Sequence, residues 1–122
     1  MIDPNAFSGV RLRGGYIIVG ISITAAPSLD PLGRAVIAQT RITGRKFHIT
    51  ILYATDEKEC SVSIYHEILE AMTVASENPP TSVIDFNEGD FERAGYQAHE
   101  QFGPVSSENL NRMLQFYGFQ GE

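Results

Sequence analysis

The chain has 122 residues, enough for one domain with a modest core. Apolar residues make up 43% and charged residues 20%, the composition of a soluble globular domain, which excludes a disordered chain. The net charge of −6 argues against non-specific nucleic-acid binding, which needs a basic surface.

Residues 1–15 read as an irregular lead-in broken by Pro4, Gly9, Gly14 and Gly15. Tyr16–Thr24 reads as the first strand, because Ile17, Val19, Ile21 and Ile23 alternate as a half-buried strand does. Arg11 and Arg13 ahead of an apolar run ending in Ala25-Ala26 faintly resemble a signal peptide. The alternation, interrupted by Gly20, Ser22 and Thr24, favours the strand. Nothing approaches the ~20 apolar residues of a membrane span, so no membrane partner is expected. Residues 27–33 form a loop rich in turn formers. Ala35–Thr43 and Phe47–Ala54 read as two more strands joined by a hairpin at Gly44-Arg45-Lys46. In the third strand Phe47, Ile49, Ile51 and Tyr53 make one face strongly apolar, while His48 and Thr50 lie on the mixed face. Positive charge gathers early, at Arg11, Arg13, Arg34, Arg41, Arg45 and Lys46, where solvated strand faces and turns account for it.

Asp56 and Glu59 fit a capping box opening a helix from about Glu57 to about Glu77, with Pro79-Pro80 beyond its end. Residues 78–86 connect onward, with a short extended piece at Val83-Ile84. Asn87 caps a second helix whose apolar stripe is Phe91, Ala94, Gly95, Ala98 and Phe102, stopped by Gly103-Pro104. Ser106 or Ser107 caps a third, with Leu110, Met113, Leu114 and Tyr117 inward and Gly118 just past its end. Strands followed by helices predict a single α+β domain over residues 1–122. Its sheet, over 16–54, would be an N-terminal antiparallel meander packed on the first helix, and its helical part would span 57–118.

The chemistry concentrates on the first helix. Val62, Tyr65, Ile68, Leu69 and Met72 fall on one side and face a core. His66 and Glu70, four residues apart, share the other side, and Thr73 and Glu77 continue that polar stripe. Glu67 sits at the flank. Two metal-capable side chains with a free carboxylate between them suit a metal-assisted hydrolase. The bland alternative is a wet helix face. Cys60, the only cysteine, permits no internal disulfide and no cysteine-based zinc cluster. It fits a reducing, cytoplasmic setting and reads as an idle thiol. Ser61 and Ser63 lack the G-x-S-x-G setting of a nucleophile, and Gly14-Gly15 forms no phosphate loop.

His66-Glu67-Ile68-Leu69-Glu70 resembles the H-E-x-x-H helix of zincin metallopeptidases, with Glu70 in place of the second His. A strand running into the motif helix is similar to the zincin arrangement, in which an edge strand lines the substrate cleft. The resemblance spans about residues 35–102. It implies zinc as the cofactor, His66 as first ligand and Glu67 as general base for peptide hydrolysis. A third ligand would come from elsewhere. His99 is the first candidate, on a stripe with Glu88, Glu92 and Gly95; the absent side chain of Gly95 lets the two helices approach. Glu92 is the runner-up and His48 a more distant option. Glu88 and Glu92 also read as charges favoured at a helix start. Tyr96 or Tyr65 would assist at the oxyanion. The implied partner is a protein or peptide substrate. The other reading is a catalytically inactive zincin-like binding or regulatory module, with a structural metal or none.

Overall fold

The computed structural model describes residues 2–24, 28–29, 35–36, 38–52 and 56–121. The strands are β1 (Val10–Arg11), β2 (Ile17–Thr24), β3 (Ser28–Leu29), β4 (Ala35–Val36), β5 (Ala38–Thr43) and β6 (Lys46–Leu52). The helices are α1 (Glu57–Ala75), α2 (Glu88–Phe102) and α3 (Ser107–Phe116). A four-stranded sheet in the order β1-β2-β6-β5 carries the helices, and β3 and β4 pair separately. This is the expected α+β class. Tyr53 and Ala54, and most of the 27–33 loop, lie outside the described residues.

The sheet is not the antiparallel meander that chain order suggests. β5 and β6 form the expected hairpin, with Thr43 opposite Lys46. Gly44, at φ +60°, sits first in its two-residue turn, where a type II′ turn needs glycine. β6, however, runs parallel to β2 and lies between β2 and β5. Periodicity reports which face of a strand is buried, not which neighbour it takes. The long connection after Thr24 lets the chain pass the place of β6, so the hairpin inserts its more apolar strand at the centre. The lead-in is also more ordered than its breakers imply: Val10 and Arg11 pair antiparallel with Ile18 and Ile17.

The apolar face of β6 is as expected, with Phe47, Ile49 and Ile51 at most 1% exposed. β2 departs from strict alternation. Its register shifts between Ile18 and Gly20. That irregularity puts both Ile18 and Ile21 in the core and leaves Val19 between them exposed, while Ile23, opposite Ile51 on the core face, is exposed near the end of the strand.

α1 begins at Asp56, whose Oδ1 accepts from the Glu59 backbone N–H at 2.8 Å. Val62, Tyr65, Ile68, Leu69 and Met72 are all buried, as their spacing requires. α1 lies on the sheet against β5 and β6, and α2 packs on α1. Asn87 and Asp90 form a full capping box for α2. Ser106 caps α3. α3 ends in a Schellman motif: Phe119 N–H reaches Leu114 O, and Gly118 N–H reaches Gln115 O, with Gly118 at φ +100°. Between α1 and α2 the chain makes a turn anchored by buried Val83, whose N–H donates to Pro80 O, in place of the expected extended piece. No helix among the described residues is long and apolar enough to cross a membrane.

Candidate metal centre

α1 presents three ligand-capable side chains to one point. The ligand atoms of His66, Glu67 and Glu70 all lie within 4.8 Å of one another, and this group can hold a metal ion. His66 and Glu70 are one turn apart by the helix period. Glu67 is rotated toward the sheet, and the flank position read from the sequence turns out to be buried, with 7% exposure. Thr40 of β5 donates its hydroxyl to Glu67 Oε1 at 3.0 Å. The partner of Thr40 across the ladder is Ile49, so both face α1.

α2 supplies a fourth group. Glu88, its first residue, brings Oε1 to 2.9 Å from His66 Nε2. Glu88 also comes close enough to Glu70 to raise its carboxyl pKa. Two contacts set this arrangement. The Phe91 ring stacks on the imidazole of His66, with centroids 6.4 Å apart and planes 7° apart. Gly95 brings the helices together: a Cβ there would stand 2.7 Å from Val62 O and 3.2 Å from His66 Cβ.

The cluster is poor in cations and rich in carboxylates. Burial pushes the Glu67 carboxyl up to about 7; the Thr40 hydrogen bond opposes this, and the Glu88 charge adds to it. Glu70 is raised to about 8, first by burial, then by its hydrogen bond with Glu88 and the charges of Glu88 and Glu67. His66 Nε2 is shut off from solvent with no hydrogen bond to satisfy it. The Glu88 oxygen is near enough but outside hydrogen-bonding geometry, and Glu67 Oε2 stands at 3.9 Å. A buried imidazole nitrogen that makes no hydrogen bond, among carboxylates that repel one another, fits a divalent cation.

A cleft of about 300 Å³ opens beside this group. Ala38, Gln39, Thr40 and Ile42 of β5 form one wall, and Glu67, Glu70, Ala71 and Val74 of α1 the other. Glu88 of α2 also lines it. β5 is the outermost strand of its sheet, so one of its backbone edges borders the cleft.

Several expected participants lie elsewhere. α1 and α2 run antiparallel, with Glu88 against His66 and Glu70 while His99 sits near the start of α1. There its Nδ1 is 2.8 Å from Ser61 Oγ, which also accepts the Val105 N–H. Glu88 and His99 stand eleven positions apart on α2, about 16 Å of helix rise. His99 is therefore not brought to His66 and Glu70, and the expected trio does not form. Glu92 points to solvent. His48 lies on the sheet face turned away from α1, since it alternates with buried Phe47 and Ile49. Tyr65 is fully buried and donates its hydroxyl to Gly103 O at 2.8 Å, so it is not free for an oxyanion. Burial, and then the Glu57 charge, push the Cys60 thiol up, which fits an idle thiol.

Glu88 is the participant that sequence reasoning missed, having been read as a charge at a helix start. The signal was present in Gly95. If that glycine marks the helix contact, a residue two turns earlier on an antiparallel α2 must lie beside the later turns of α1. Comparison with known proteins finds no matching family model, no similar curated protein and no similar solved structure.

Proposed function

We propose that this chain is a zincin-like, zinc-dependent hydrolase of peptide bonds, with the ion held by His66, Glu70 and Glu88, and Glu67 as general base. One observation carries the reading: the buried Nε2 of His66, which makes no hydrogen bond and is surrounded by carboxylates. Carboxylates ligate zinc as imidazoles do, so Glu70 serves where the zincin motif has its second His. Glu88 takes the downstream place first assigned to His99. When bound, the ion supplies Lewis-acid polarisation and lowers the pKa of a coordinated water toward about 7.

The protein groups then have distinct tasks. Thr40 holds one oxygen of Glu67, leaving Oε2 on the side of His66. From there Glu67 takes the proton of the attacking water and delivers it to the leaving amine. The cleft along β5 receives an extended peptide, whose backbone adds to the edge of β5 that no described strand pairs.

A second reading, a catalytically inactive binding or regulatory module, draws on the 2.9 Å contact between His66 and Glu88, which closes the site on itself. A pool of internally quenched peptides, incubated with zinc-loaded protein, separates the two. Hydrolysis that disappears in a Glu67→Gln variant still binding zinc supports the enzyme. Zinc binding without hydrolysis by the wild-type chain favours the module.

A further inference from the structure

Charge is divided between the two layers of this fold. The first 52 residues hold Arg11, Arg13, Arg34, Arg41, Arg45 and Lys46 against only Asp3 and Asp30. The strands of the four-stranded sheet contain no Asp or Glu at all. Register then gathers their cations on one face. Arg11 pairs with Ile17, Ile17 with Lys46, and Lys46 with Thr43. The next row is Gly20, His48 and Arg41. Because His48 points away from α1, so do Arg41, Lys46 and Arg11.

On this outer face Arg11, Arg41 and Lys46 are exposed. None of the three forms an ion pair with a described residue. The cations of the helices behave differently: Lys58, Arg93 and Arg112 are each paired, with Glu100, Asp90 and Glu108. A groove of about 550 Å³ crosses the basic face, lined by Ser22, Gln39, Thr40, Arg41, His48 and Thr50. Its hydroxyl, amide, imidazole and guanidinium groups are hydrogen-bond donors suited to carboxylates. Gly20 leaves the space beside the His48 ring open, with Nε2 3.8 Å from where its Cβ would be.

We infer that this basic outer face of the sheet is a docking surface for an acidic segment of a partner protein. Charge complementarity selects the occupant. A long nucleic acid or an anionic bilayer meets the whole field of a chain whose net charge is −6. A short acidic segment lying in the groove meets mainly the local cations, because the Debye length is only about 8 Å in physiological salt. Among its described residues the face also lacks any Phe, Tyr or Trp on which bases could stack. The cations of this surface lie on the opposite side of the sheet from the candidate metal centre, and the groove and the cleft meet only at Gln39 and Thr40 of the edge strand β5.

Fluorescence anisotropy with a labelled oligo-glutamate peptide tests the assignment on the full chain. The peptide binds the wild-type protein, and added salt weakens it. The double variant Arg41→Glu/Lys46→Glu loses about tenfold or more in affinity. Arg41→Gln/Lys46→Gln, which keeps the strand and removes the charge, loses a smaller part, and Lys58→Glu on α1 changes it less than about twofold. Equal binding by wild type and both sheet variants overturns the proposal. So does tighter binding of oligo-dT or phosphatidylserine vesicles than of the peptide. Salt-sensitive self-association of the wild type, abolished by the double variant, overturns it too, because the occupant is then a second copy.

Discussion

Glu88, the first residue of α2, places a carboxylate oxygen 2.9 Å from Nε2 of His66, on the helix before it. This pairing joins two elements into one candidate site and brings to it a carboxylate from outside α1. If it is a ligand contact, Glu88→Gln weakens zinc binding by roughly tenfold or more, the scale on which even groups that merely support ligands act. His99→Ala leaves zinc affinity unchanged. Isothermal titration of both variants measures this; equal losses in the two would return His99 to the site.

The raised carboxylates predict an unusual pH profile for the metal-free protein. Glu67 and Glu70 are pushed up from 4.5 to about 7 and about 8. The folded state therefore keeps protons that the unfolded state has already released. Stability is greatest below about pH 5 as far as these groups are concerned, and falls as pH rises to about 8. Each kcal/mol lost lowers Tm by on the order of 4 °C. Saturating zinc flattens or reverses the slope, since the ion replaces the protons. Thermal melts from pH 5 to pH 9, with and without zinc, read this directly. A metal-free Tm that climbs over that range contradicts it.

Gly95 makes a local prediction with opposing terms. Alanine improves helix propensity by about 1 kcal/mol. Its Cβ, however, would stand 2.7 Å from a backbone carbonyl, which cannot turn aside as a flexible side chain can. The clash dominates, and Gly95→Ala destabilises the fold by about 1–3 kcal/mol. Because the helices must part where His66 touches α2, zinc affinity falls as well. Urea unfolding gives the first number; a gain in midpoint would show that the contact is slack.

Ser61 separates structure from chemistry. It is fully buried and serves both His99 Nδ1 and the Val105 N–H. Ser61→Ala leaves buried polar partners unsatisfied and costs about 1–3 kcal/mol. Zinc affinity should not change. A parallel loss of metal binding would mean that the two ends of α2 are coupled more tightly than the geometry suggests.

Much of this was legible in residue order, for identifiable reasons. The i, i+4 placement of His66 and Glu70 follows from the helix period alone, as do the buried positions from Val62 to Met72. Caps at Asp56, Asn87 and Ser106 are local chemistry and fell where expected. What escaped was set by long-range pairing. The parallel partnership of β2 and β6 leaves no mark on periodicity. The irregularity at Val19 shifted the core face of β2 to Ile18 and Ile21. His99 looked like a ligand because its helix face was right; its position along that face was wrong by three turns. Glu67 proved more enclosed than a flank position suggests, because β5 brings Thr40 over it.

The central claim is that His66, Glu70 and Glu88 hold an ion, and metal analysis of protein purified without an affinity tag tests it most directly. Stoichiometric zinc in the wild-type chain and a higher Tm after zinc is added to stripped protein are expected, and neither in His66→Ala. Wild-type protein that carries no metal, and whose Tm does not move with added zinc, contradicts it.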